Sequence, residues 1–217
     1  MSGATVPAGQ DALYGRDAYA NDDSDGVAGF SFTKLDDNGD PLADQTVAYG
    51  TEPGQAVWAC VRDNVTGLIW EVKTNSGLQD TDSRYTWYDS DGGQGGDPVG
   101  VSDGGTCSGA SGCDTERFVA DVNGNALCGA TDWRLPTLDE LIGIVHFGTP
   151  DTFFTVDIDT GYFPNASAAE YWSSSRSAVS GPSDAWLVDF GIENEPFKTY
   201  PVDSSKPRAV RLVRDGP

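Results

Sequence analysis

Apolar and polar residues first alternate at Phe30-Ser31-Phe32-Thr33-Lys34-Leu35, a pattern that predicts a strand with one buried face. Asp36-Asp37-Asn38-Gly39-Asp40 follows, and Asn-Gly supplies a positive φ at little cost, so a hairpin or tight loop is expected there. Two short apolar runs, Val57 to Val61 and Gly67 to Val72, flank the turn residues Arg62 to Thr66 and predict a strand, a turn and a strand that carry Trp58 and Trp70 into a core. Residues 89–113 are a loop of Gly, Asp and Ser, too polar to bury. Helical spacing then appears twice. Asp114 or Thr115 can cap a helix whose Phe118, Val119 and Val122 share one face and which stops near Asn123-Gly124. Thr137-Leu138-Asp139-Glu140 is a capping box, with Leu138, Leu141, Ile142 and Val145 at helical spacing behind it and Gly148 as the stop. Short strands return at Tyr171 to Ser173, Ala185 to Phe190 and Val210 to Val213. Two helices among short antiparallel strands predict an α+β domain, not a doubly wound one.

Composition narrows the function. The 217 residues are 38% hydrophobic, enough to build a core, and 34 acidic against 13 basic residues give a net charge of −21. So acidic a surface repels phosphate backbones and anionic lipid, which argues against nucleic acid as a partner and against polyanionic glycans without a local basic cluster. No apolar run approaches the length of a membrane span, so no direct membrane insertion is expected; if the chain is exported, its signal has been removed. Cys60, Cys107, Cys113 and Cys128 lack the C-x-x-C spacing of zinc or redox sites, and an even count in such a chain points to disulfides and an oxidising compartment. Three pairings are open to four cysteines. The favoured one joins Cys107 to Cys113 around a short Gly/Ser loop and Cys60 to Cys128.

Candidate chemistry is sparse. The single histidine, His146, sits beside an apolar stripe and reads as structural, so a nucleophile would lack its usual base. G-x-S-x-G, H-E-x-x-H, Walker and dinucleotide motifs are missing. Asp22 to Gly26 and Asp36 to Asp40 loosely resemble calcium loops but lack the acid at the twelfth position, and read as solvated turns. The expectation is a non-enzymatic protein without cofactor or metal.

Asp132-Trp133-Arg134-Leu135-Pro136-Thr137, Glu140-Leu141, Tyr171-Trp172-Ser173-Ser174-Ser175, Ala185-Trp186 and Val210 to Arg214 occur in an order that resembles the Lcl C-terminal domain family. Trp58, Asp63 to Trp70 and Trp87-Tyr88 extend the resemblance to residues 57–214. It implies a C-type-lectin-like domain over 57–217, with residues 1–56 as a strand and loop segment packed on it, and an extracellular or cell-surface location. Trp133, Arg134, Trp172, Trp186 and Arg211 would be mainly scaffold. The catalytic cysteine pair of formylglycine-generating relatives has no counterpart after Cys128, and the Glu-Pro-Asn and Trp-Asn-Asp motifs of calcium-dependent lectins are missing.

The segment between Ser175 and Val210 is framed like the diversified surface of variable proteins made by diversity-generating retroelements. That framing implies ligand contacts at Arg176, Ser177, Ser183, Asp184, Leu187, Gly191, Ile192, Asn194, Pro196, Phe197, Thr199 and Pro201, with Phe197 as anchor. The partner would be a protein or glycan on another surface. An adhesin domain is the alternative, and a carbohydrate-active or sulfatase-modifying enzyme comes third.

Overall fold

The computed structural model describes residues 24–27, 29–50, 52–92, 96–146, 156–177, 184–191 and 199–217. Its central element is an antiparallel sheet of β1 (Phe32–Leu35), β4 (Cys60–Asp63), β5 (Ile69–Glu71) and β11 (Val213–Arg214), in the order β1-β4-β5-β11. β2 (Ala48–Tyr49) and β3 (Gln55–Ala56) form a small parallel pair beside it. Side chains alternate along β1, but not with the one buried face expected, because Phe32 enters one hydrophobic cluster and Leu35 the other. Lys34, Val61, Trp70 and Val213 stand opposite one another on one face, and Leu35, Cys60 and Glu71 on the other. Both faces are covered, so the sheet separates two hydrophobic clusters, one around Trp58, Val61 and Trp70, the other around Cys60, Trp133 and Leu212.

Turn chemistry sets the ends of these strands. Asp36 Oδ1 accepts from the amides of Asn38 (2.8 Å) and Asp40 (3.0 Å), while Gly39 takes the positive φ of +85°. In the β4–β5 hairpin Asp63 Oδ1 accepts from the Val65 amide at 2.8 Å and Oδ2 from the Thr66 hydroxyl at 2.8 Å. Because β1 pairs with β4 along its whole length, the described end of the N-terminal segment is an edge strand of the main sheet.

A second antiparallel sheet has the order β10-β9-β8, from β8 (Glu170–Arg176), β9 (Asp184–Asp189) and β10 (Thr199–Asp203). Its alternation feeds both clusters, with Tyr171 and Val188 entering the first, and Trp172, Ala185 and Leu187 the second. β10 was not visible as a strand in the sequence. Its apolar positions are few, and Pro201 fits only because β10 lies at the sheet edge. β6 (Tyr88–Asp89) and β7 (Val99–Gly100) form a short pair inside the loop that composition marked as irregular. Gly100, at φ +90°, lies so close to the Trp87 carbonyl that a Cβ would come within 2.1 Å of it.

The first helix, α1 (Thr115–Gly124), is capped by Asp114, whose carboxylate accepts from the Arg117 amide at 2.9 Å. The second, α2 (Leu138–Ile142), carries the expected capping box between Thr137 and Glu140 and packs on β8 and β9. It is much shorter than expected and ends at Gly143, not near Gly148. Ile144 and Val145 are still buried, but on a turn, and the His146 amide donates to the Asp157 carbonyl instead of continuing the helix. Cys60 is bonded to Cys128 and Cys107 to Cys113.

Candidate functional site

The site is built around a cleft of about 250 Å³ between β6, the first turns of α1, the Arg134-Leu135 segment and β8. Trp87, Val119 and Leu135 give it an apolar floor, and Asp89, Glu116, Arg134 and Ser174 a polar rim. Hydrogen bonds between separate segments hold the walls together. Trp87 Nε1 donates to the Ser173 carbonyl at 3.0 Å, and the Ser174 amide donates to the Pro136 carbonyl at 2.7 Å. Tyr88 and Thr115 exchange hydrogen bonds through the Thr115 hydroxyl, at 3.0 and 3.1 Å, so β6 is fixed to the start of α1. Glu116 accepts from the Ser90 amide at 2.7 Å.

The charges on the rim are set by their neighbours. Arg134 makes a two-pronged pair with Glu140, both N–O distances 2.8 Å, and also reaches Asp215 at 3.0 Å. The hydrogen bond from Arg134 holds the Glu140 carboxyl below its usual range, and the same pairing raises the arginine. Asp89 is pushed up, first by burial and then by its neighbour Asp91, with Arg176 opposing the shift. A carboxyl whose folded pKa is depressed contributes stability that is present above its unfolded value and lost as pH falls through the folded value. Thermal melts between pH 2.5 and 6 are therefore expected to show stability falling below about pH 4.5, the ordinary glutamate value, with a shallower fall in Glu140→Gln. An equally steep fall in that variant would show that Glu140 does not contribute.

The expected ligand-contact residues are placed as follows. Arg176 is exposed at the end of β8 and donates to the Gly92 carbonyl at 2.7 Å, which sets it at the lip of the cleft near Asp89. Asp184, Thr199 and Pro201 are partly exposed on β9 and β10. Gly191 is partly exposed where it bridges to Val156. Two expectations are corrected. Leu187 is 0% exposed within the second cluster, because its position in the alternation of β9 points it there, and Ser177 is 6% exposed. Neither can present its side chain to a ligand. Ser183, Ile192, Asn194, Pro196 and Phe197 lie outside the described residues.

The scaffold assignments fare unevenly. Trp133, Trp172 and Arg211 are buried, whereas Trp186 is partly exposed and stands opposite Pro201 across β9 and β10. The cleft itself was not read from the sequence. Its lining comes from four separated segments, and no motif marks Ser174 or Val119 as neighbours. Among the described residues there is no group of three or more His, Cys, Asp or Glu placed to hold a metal ion, and no helix long and apolar enough to cross a membrane.

Two disulfides, a sheet covered on both faces and a preformed cleft define a disulfide-stapled α+β domain, and the disulfides fit an oxidising compartment. The chain belongs to the Lcl C-terminal domain family, whose profile matches residues 59–214. Comparison with curated proteins and with solved structures gave no match.

Proposed function

We propose that this chain is a non-enzymatic, extracellular or cell-surface ligand-binding module with a C-type-lectin-like fold. It meets a protein or glycan on another surface through the open side of β8, β9 and β10 and the cleft beside them. The cleft is the observation that carries this reading. An apolar floor with a few placed polar groups, its walls tied together by hydrogen bonds between separate segments, binds without the ordering cost of a flexible loop. The half-buried Trp186 next to Pro201 adds an apolar patch on the same sheet. Membership in the Lcl C-terminal domain family supports a surface role.

Ser174 is exposed, so Ser174→Trp fills the cleft without disturbing the core. The purified chain is tested on arrays of neutral, sialylated and sulfated glycans and of surface proteins. The wild type is expected to bind a defined set of spots, with sulfated glycans weakest because of the charge of −21, and Ser174→Trp to lose that set at least tenfold with an unchanged melting temperature. Undiminished binding by Ser174→Trp would remove the cleft from the site.

The retroelement reading rests on the exposure of Arg176 and the partial exposure of Asp184, Thr199 and Pro201, positions where side chains can change without loss of core packing. Sequencing the locus across isolates tests it. Substitutions gathered at these positions and absent from Leu187 support diversification, and sparse, evenly spread changes oppose it.

A further inference from the structure

The two disulfides have different surroundings. Cys60 and Cys128 are buried in the second cluster, and the turn after β1 covers Cys128, since a Cβ on Gly39 would come within 2.6 Å of its carbonyl. An attacking thiolate must reach a sulfur, so this bridge is shielded from exchange. Cys107 and Cys113 are only half-buried, and Ser108, Gly109 and Ser111 between them are exposed.

The accessible bridge is also tied to the cleft beside β8. Cys113 precedes Asp114, the cap of α1, and its amide donates to Asp103 Oδ1 at 2.7 Å. Asp103 in turn donates its amide to Asp114 Oδ2 at 2.9 Å and pairs with Arg117 at 3.2 Å. The Cys113 carbonyl accepts from the amides of Thr86 (3.2 Å) and Gly105 (3.0 Å), and the Thr86 carbonyl accepts from the Thr115 amide at 2.9 Å. The loop that the bridge closes packs on α1 as well, because a Cβ on Gly112 would come within 2.3 Å of the Arg117 side chain. Thr115, Glu116 and Val119 form one wall of the cleft, and Trp87 and Tyr88, next after Thr86, form another. One sulfur is therefore carried by the residue at which these two walls join.

We propose that Cys107–Cys113 is a thiol-exchange site, opened by an external thiol, and that opening it loosens the α1 wall of the cleft. The attacking thiolate bonds to one sulfur as the S–S bond breaks, and the other cysteine leaves as a thiolate. A second external thiol then displaces the protein from the mixed disulfide. The protein gains two electrons and two protons, and the external pair departs as a disulfide. The chain stays folded meanwhile, because the Cys60–Cys128 bridge and the buried residues of both clusters are untouched. The consequence for binding rests on the cleft being the ligand site, but the exchange itself does not.

The test incubates the whole oxidised chain with reduced glutathione, alkylates the thiols that appear and locates them by peptide mass. Cys107 and Cys113 are expected to be labelled about tenfold or more faster than Cys60 and Cys128. Hydrogen exchange is then followed on the chain opened at this bridge alone. The amides of Cys113, Thr115 and Arg117 are expected to exchange about tenfold faster than in the oxidised chain, and those of Glu71 and Val72 in the central sheet at an unchanged rate. A variant with Cys107→Ser and Cys113→Ser, which glutathione cannot alter, is expected to show the fast exchange throughout. Equal labelling of all four cysteines, or earlier labelling of Cys60 and Cys128, overturns the exchange site. Unchanged exchange at Thr115 and Arg117 overturns its link to the cleft. None of these readings uses a ligand, so their failure leaves the ligand-binding role standing. Conversely, binding on the arrays that Ser174→Trp abolishes but glutathione leaves intact overturns the link alone.

Discussion

Replacing Cys60 and Cys128 together by alanine is expected to lower the unfolding free energy by about 4 kcal/mol, whereas replacing Cys107 and Cys113 costs about 2 kcal/mol. The difference follows from the loops that the two bonds close. The first joins residues 68 apart in sequence and the second residues only 6 apart, and the entropy removed from the unfolded chain grows with the logarithm of the loop. Cys60 is also 0% exposed within the second cluster, so truncation there adds a larger cavity cost than at Cys107 and Cys113, which are only half-buried against it. Urea unfolding of both double variants reads the two costs directly. Equal midpoints would mean that the long bridge constrains a denatured chain that is already compact.

The second large effect is expected at Glu71. This carboxylate is 0% exposed and pairs with Lys73 at 2.8 Å, while its other oxygen accepts from the Leu212 amide at 2.8 Å. Arg211, 1% exposed, donates to the Glu71 carbonyl at 2.6 Å and lies over the rings of Phe163 and Tyr171. The Lys73 ammonium is set over the Phe118 ring at 4.7 Å; burial pushes its pKa down, and Glu71 pulls it back up. Glu71→Ala removes the anion and strands a buried ammonium and the Leu212 amide, so a loss of about 3–5 kcal/mol is expected. Glu71→Gln combined with Lys73→Met keeps an acceptor for Leu212 and removes both charges. It is expected to cost clearly less than Glu71→Ala, since neutral replacement of a buried pair is often tolerated. Chemical denaturation of the two variants compares them. A double variant as unstable as Glu71→Ala would show that the ion pair itself, not its unpaired remainder, holds this region.

The same residues show how far the sequence reaches. Asp114 and Thr137 announce their helices because a cap needs only a side chain and an amide three residues on, and both caps form as read. Asp36 to Asp40 and Asp63 to Thr66 set their turns for the same reason. The favoured cysteine pairing is present, although spacing alone left three choices open. α2 shows the limit. Its apolar spacing runs on to Val145, yet the helix stops at Gly143, where the chain after it pairs with Asp157 and buries Ile144 on a turn. Tertiary contacts there outweigh a local pattern that is only a weak preference.

The candidate site divides in the same way. Arg176 is exposed and Asp184, Thr199 and Pro201 are partly exposed, but Leu187, one step along the same strand from the partly exposed Trp186, is buried. A strand sends successive side chains to opposite faces, and which face is covered depends on what packs there from elsewhere in the chain. The sequence by itself determined the caps, the turns, the α+β class, the acidic surface and the family resemblance, since each is written within a few neighbouring residues or in composition. The end of α2, the burial of Leu187 and Ser177, the ion pair under Arg211 and the cleft were decided only by the tertiary structure. They join residues dozens of positions apart, and only the fold determines which of those groups meet.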